Sequence, residues 1–416
     1  MVETTRREFL AGVGLGAAAA ALPVSAQSIK PPFRVRTITA GVSLAGAEDL
    51  SAIDRALTML TRAKARFEQA GYEVQTVRIA TNPIVAAAGA AARRGMLPAL
   101  EALDRAVSAR QAVISIGPVL TEDRADAELP AWCAELVQRT HSISLSAVVA
   151  SGALGVQRQA CATAANIIIS LSQALAGGVA NFRFAAAANI PAGTPFFPVG
   201  FHEGAAALAV GLESPGLVQA AFAEARDPED AEQRLRGSMN AHLSGVDRLA
   251  RALAADEGVR FLGIDPSPAP GLDNSIGAAI EALTRVPFGS AATLSACATI
   301  TAALKSLSVT TCGYAGLMLP VLEDPVLASR AQEGRYGVEE LLLYSSVCGT
   351  GLDVVPIPGG TSAETMARLI GDVAALSARL RKPLSARLFP APGRKAGELV
   401  RFDDPRLTAT SVFEVN

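Results

Sequence analysis

The run Phe33-Arg-Val-Arg-Thr-Ile-Thr-Ala-Gly-Val-Ser43 is followed by SAIDRALTMLTRAKARFEQA over 51–70, then Gly71, then YEVQTVRIA over 72–80. The first and third runs are short, apolar and rich in β-branched residues, as strands are. In the second, Ile53, Leu57, Leu60 and Phe67 fall at helical spacing, and Gly71 stands where a C-cap glycine belongs. This strand–helix–strand unit sets the class. The alternation continues with strand-like runs at 112–119, 142–150, 181–188, 205–212, 259–265, 313–321, 351–357 and 384–389. A second amphipathic helix is predicted over 229–255, with Leu235, Met239, Val246, Leu249 and Leu253 as its stripe. Such alternation predicts an α/β fold with a largely parallel sheet covered on both faces. With no linker, low-complexity segment or compact repeat after residue 26, the reading is one large barrel-like domain over 27–416.

Ahead of that domain, Thr5-Arg6-Arg7-Glu8-Phe9-Leu10 precedes a soft apolar stretch from Ala11 to Leu22 and the small residues Val24-Ser25-Ala26. A charged start, a modest apolar run and an A-x-A-like end make a signal peptide, and paired arginines before Phe-Leu mark the twin-arginine type. The expected mature chain begins at about Gln27, engages the twin-arginine translocase during export, and works in the periplasm or outside the cell. No cysteine follows the cleavage site, so no lipid anchor is expected.

Removing residues 1–26 takes away Arg6, Arg7, Glu3 and Glu8 and leaves the net charge at −2. That balance argues against nucleic acid or an anionic membrane as partner. The long apolar stretches 164–182 and 290–322 carry Asn166, Ser170, Ser172 and Gln173, and Lys305, respectively, so they read as buried elements rather than membrane spans. Five cysteines without a C-x-x-C pair do not make a disulfide scaffold, and Cys161 and Cys297 sit in Ala-rich runs as core residues do. No G-x-S-x-G, Walker or dinucleotide fingerprint occurs outside the leader.

In α/β folds the chemistry lies at strand ends. Four such places stand out: Asn181 to Glu203, with Arg183, Asn189 and His202; Phe261 to Pro270, with Asp265 and Ser267; Gly313 to Asp324, with Glu323; and Tyr344 to Gly359, with Cys348, Thr350 and Asp353. Together these segments resemble the family called domain of unknown function 711, over nearly the whole mature chain. That resemblance implies a ten-stranded α/β barrel of the pyruvate formate-lyase-like kind, two five-stranded halves run against each other. It further implies a loop bearing Cys348 that projects into the barrel. Glycyl-radical chemistry is not implied, because ARLFPAPGRKAGELVRF contains no R-V-x-G-aromatic motif. The chain also departs from the family pattern at Asp403-Asp404-Pro405, where a glycine-rich segment is expected, at the closing contacts of the barrel or of a homodimer.

The residues themselves admit two readings each. His202-Glu203 is either a ligand or acid–base pair, or a histidine bonded to a backbone carbonyl beside a turn-capping Glu. Asp265 points into the barrel mouth or closes an Asx-turn onto Ser267. Glu323-Asp324 is a ligand pair or the N-cap of a helix starting at Pro325. Arg183 binds a substrate carboxylate or pairs with an acid. Cys348 is a reactive thiol or a small residue in a tight turn, with Thr350 beside it in a loop able to hold an anion. The expectation drawn from them is a small-molecule enzyme using His202, Glu203, Asp265 and Cys348, with Arg183, Asn189, Ser267 and Thr350 on the ligand. A divalent metal is the candidate cofactor, on His202, Glu203, Glu323 and Asp353. The alternatives are a non-catalytic periplasmic binding protein and an inactive barrel kept for assembly.

The leader yields a direct test. Changing Arg6 and Arg7 together to Lys is expected to hold the precursor in the cytoplasm, since the pair is what the translocase reads. Normal recovery of cleaved protein outside the membrane would refute the twin-arginine assignment.

Overall fold

The opening unit forms as its pattern dictates: β1 (Arg34–Val42), α1 (Leu50–Gln69) and β2 (Val74–Thr81). Gly71 closes α1 at a φ of 89°, with Gly71 N–H on Glu68 O and Tyr72 N–H reaching back 3.0 Å to Phe67 O. There follow α2 (Ala90–Ser108), β3 (Val113–Leu120), α3 (Leu129–Arg139), β4 (Ile143–Ser151), β5 (Gly155–Val156), α4 (Arg158–Ala174) and β6 (Phe184–Ala188). The second half holds β7 (Ala207–Glu213), α5 (Pro215–Ala223), α6 (Pro228–Asp256), β8 (Arg260–Asp265), α7 (Ile276–Thr284) and α8 (Thr293–Lys305). It ends with α9 (Pro325–Gln332), α10 (Val338–Ser345), β9 (Gly351–Pro358), α11 (Ala363–Leu380), β10 (Leu384–Ala391) and a ribbon of β11 (Leu399–Val400) and β12 (Thr410–Ser411). The computed structural model describes residues 31–416, which form one compact unit. The expected leader over 1–26 lies outside the described residues.

Ten strands share one mixed sheet in the order β8-β7-β1-β2-β3-β4-β6-β10-β9, with β5 attached to β4. β1, β2, β3, β4 and β6 run parallel. The direction reverses at two seams, β1 against β7 and β6 against β10, and β8 and β9 then extend each reversed edge in parallel. Beyond the sheet ends stand two single parallel bridges, Ile264 to Thr311 and Asp353 to Pro320.

The strand expected over 313–321 does not form. The Asp265 carboxylate accepts from Tyr314 N at 2.8 Å and Ala315 N at 3.1 Å, and Gly313 and Ala315 take positive φ of 68° and 45°. A turn pulled onto a buried carboxylate cannot also present a ladder of hydrogen bonds. A Cβ at Gly313 would collide with that same carboxylate, so glycine is required there. Residues 164–182 span most of α4 and the turn after it and are largely buried, whereas 290–322 contains α8 and the buried segment 314–322 but also an exposed turn over 305–311. No helix of the described residues is long and apolar enough to cross a membrane.

β6 shows how the layers are divided. Phe184, Ala186 and Ala188 join the main core under the helices, while Ala185 and Ala187 face the other way, onto Phe196, Val199, Tyr314 and Met318. That inner face is small-residued because main chain lies across it. The segment Pro191–His202 forms a finger tied by Gly193 N–H to Phe201 O at 2.8 Å, held by Thr39 Oγ1 on Pro195 O at 3.2 Å. His202 N–H ends it on Thr81 O at 3.0 Å.

Asp324 is the cap that the sequence offered, doubled. Its buried carboxylate accepts from Val326 N and Leu327 N at 2.9 and 3.0 Å at the start of α9. It also accepts from Ile276 N at 2.6 Å, Gly277 N at 3.2 Å and Ser275 Oγ at 2.6 Å at the start of α7. One side chain thus serves the orphan N–H groups of two helices. Asp324→Ala is expected to cost about 2–4 kcal/mol in urea unfolding, roughly twice an ordinary N-cap loss. A loss below about 1 kcal/mol would show that the second helix does not depend on it.

Candidate functional site

Three strands place a lone charged residue in their run, Arg78 in β2, Asp353 in β9 and Arg387 in β10, and β1 carries Arg36 two residues after Arg34. Two of them stand on irregularities of the ladder. The β1–β7 register slips between Val35 and Thr37, at Arg36. The β9–β10 register slips so that Asp353 and Val354 together oppose Arg387, and Val354 takes a φ of 45°. A β-branched residue in that region is strained, and bulges of this kind re-aim a side chain. Here the Asp353 carboxylate is delivered 2.8 Å from Arg387 Nη1.

These residues line a cavity of about 170 Å³ with Tyr314, Glu323, Thr350 and the finger residue Phe197. Liquid water takes about 30 Å³ per molecule, so the space suits a small metabolite of a few heavy atoms. Glu323 bridges Arg387 Nη1 and Arg36 Nη2, each at 3.4 Å. Arg36 also meets the buried Glu213 at 3.0 Å. Burial raises the Asp353 carboxyl above its ordinary range; Arg387 opposes the shift and Glu323 adds to it. Burial works against the Arg387 charge too, but Asp353 and Glu323 outweigh it and hold the guanidinium protonated.

Arg78 differs from its neighbours. Among the described residues its side chain makes one hydrogen bond, Nε to Thr76 Oγ1 at 3.3 Å, and it lies 5.2 Å from the centre of the Phe197 ring. Burial, then the nearby Arg36, disfavours its charge. Arg387 Nε and Thr350 Oγ1, in the same wall, are buried without hydrogen-bond partners among the described residues. Unsatisfied buried donors around a cavity are costly unless a ligand completes them.

The site residues expected from sequence are divided by the structure. Arg183, Glu323, Thr350 and Asp353 line this cavity; Asn189 and Glu203 line a second one; His202, Asp265, Ser267 and Cys348 line neither. His202 packs its ring on Gly41 and sets Nε2 2.9 Å from Ala205 O and 3.3 Å from Gly204 O, the backbone-bonded alternative. Burial lowers its pKa. Asp265 closes the turn onto Ser267, with N at 3.1 Å and Oγ at 2.6 Å, besides holding Tyr314 and Ala315. Arg183 makes no ion pair among the described residues. Its guanidinium donates to Ile143 O and Thr140 O at 2.6 Å and Val137 O at 3.1 Å, closing the C-terminal end of α3. Cys348 does not project into the interior. It is buried in the main core, and its carbonyl accepts from Lys382 Nζ at 2.6 Å. The expected metal set of His202, Glu203, Glu323 and Asp353 is not assembled, because the last two turn toward Arg387 while His202 turns toward Gly41. Among the described residues no three His, Cys, Asp or Glu side chains are grouped to hold a metal.

Sequence reasoning missed Arg36, Arg78, Tyr314 and Arg387. The signal was present: TVRIA and ARLFPA set an arginine inside an apolar strand just as NFRFA does. A buried guanidinium needs an explanation wherever it stands.

The comparisons agree with the sequence resemblance. Residues 29–404 match the model of the family described as Uncharacterised ACR (DUF711). The chain is 31% identical over 412 residues to a UPF0210 protein of Desulforudis audaxviator, covering 92% of this chain and 90% of that one. It is 28% identical over 400 residues to a UPF0210 protein of Acetivibrio thermocellus, covering 88% of each. A UPF0210 protein of Pyrobaculum aerophilum is 33% identical over 288 residues, 66% of this chain and 63% of its own. With the family model spanning nearly all of the described residues, the chain belongs to the DUF711 family.

Proposed function

We propose that this chain is an enzyme acting on a small anionic molecule held inside a closed ten-stranded barrel. The observation that carries the reading is Arg78, a cavity-lining guanidinium that makes no ion pair among the described residues, beside an acid pair, Asp353 and Glu323, that shares Arg387. Two strand blocks of opposite direction, with single bridges at Ile264–Thr311 and Pro320–Asp353, support closure of the kind the family resemblance implies. In this reading Arg78, Arg387 Nε and Thr350 Oγ1 bind the anion, a charge-assisted arrangement worth more than neutral hydrogen bonds. Asp353, its carboxyl raised by burial, is the proton donor, and Glu323 is the carboxylate that accepts. The chemistry belongs to proton transfer at a small carboxylate- or phosphate-bearing substrate. Export is part of the proposal and rests on Arg6-Arg7 and the apolar run that follows.

A panel of small carboxylates and inorganic phosphate, read by thermal shift and calorimetry, tests it. At least one anion is expected to stabilise the protein, and Arg78→Ala to weaken its binding about tenfold or more, the worth of a charge-assisted bond. Asp353→Asn is expected to keep binding and lose turnover. The pH dependence has a definite sign. Because the folded Asp353 carboxyl is raised, it is neutral at low pH and gains charge as pH rises, so anion affinity falls with rising pH. No stabilisation by any anion, or binding indifferent to Arg78→Ala, would defeat the reading; binding without turnover of any bound anion would leave a receptor.

A further inference from the structure

On the other side of the finger the interior opens again, into a cavity of about 360 Å³ at the ends of β3, β4 and β6. Its wall includes Val148, Ala187, Val199 and Phe201, and its charge is of one sign only. Among the described residues Glu203 is its one ionisable lining residue. That carboxylate is exposed at the mouth and makes no ion pair among the described residues. Deeper in, Ser146 is fully buried and its Oγ has no hydrogen-bond partner among the described residues. Ser146 and Val148 share the inward face of β4 by its period of two. The central cavity is arginine-rich, so the two spaces differ in the sign of the charge they present.

We propose that this second cavity is a binding site for a small, largely apolar primary amine. The ammonium group sits against Glu203 at the mouth, where the only formal charge is negative. The aliphatic part lies on Val148, Val199 and Phe201, away from water, and a polar end group reaches Ser146 Oγ. An apolar pocket with a few convergent polar groups is the ordinary form of a small-molecule site. The unsatisfied hydroxyl is the observation that separates it from a packing defect, since buried polar atoms otherwise find partners. The site requires none of the groups assigned to the central cavity.

Ligand-observed NMR titration of the whole protein with n-butylamine, 4-amino-1-butanol, 1-butanol and butyrate tests this. Butylamine is expected to bind about fivefold or more tighter than butanol, the upper range for an exposed ion pair, and butyrate to bind weakest. Glu203→Gln, on an exposed side chain, is expected to erase the preference of amine over alcohol while leaving the fold unchanged. Ser146→Val, which removes the hydroxyl, is expected to weaken 4-amino-1-butanol, whose own hydroxyl would reach Ser146 Oγ, and to leave butylamine as it was. Arg78→Ala is expected to leave the amine response as it was. Equal binding of amine and butyrate, or an amine preference that survives Glu203→Gln, would overturn the proposal.

Discussion

A guanidinium buried where four parts of the chain meet sets the terms for the interior. Arg387 of β10 reaches Asp353 on β9, Glu323 on the segment after the Pro320 bridge, and the carbonyl of Phe182 ahead of β6. Glu323 hands the connection on to Arg36 of β1, and Arg36 to Glu213 of β7. Charges this buried are tolerated only when each is met, and removing one partner from such a group costs several times what an exposed pair contributes. The network therefore ties the reversed strands to the parallel block through the interior. Its position is also why the cavity is polar at all.

The interior is shared between that network and the finger. Main chain passing through a sheet's inner face excludes large side chains, and Ala185, Ala187, Thr37 and Thr39 meet that demand. Gly211 does so most plainly, since a Cβ there would press on Phe196 and Thr37 at 3.0 Å. The finger in turn separates the two cavities: Phe197 faces the arginines, and Phe201 faces the apolar space beyond. Two cavities of opposite electrostatic character inside one fold follow from where this one segment lies.

Local pattern carried the elements well. The stripe Ile53, Leu57, Leu60 and Phe67 is buried along α1, and Leu235, Met239, Val246 and Leu253 along α6, because helical period and core face are the same information. Of the two readings open at Glu323-Asp324, the cap is realised at α9, where capping needs only neighbours in sequence, whereas its second role at the start of α7 does not. The failure at 313–321 has the opposite cause. Its apolar composition suits a strand, but Asp265, 49 residues away from Tyr314 in sequence, captures its amides.

What the sequence by itself determined is therefore whatever period and nearest neighbours decide: the α/β class, the helix faces, the caps and the family. Convergence belonged to the tertiary structure alone. His202 and Glu203 are adjacent in the chain, yet one is spent on backbone carbonyls and the other stands at a cavity mouth. Arg36, Arg78, Asp353 and Arg387 are far apart and meet at one cavity. Strand order, direction and two slips of register bring them together, and these depend on pairing between distant segments that no local pattern encodes.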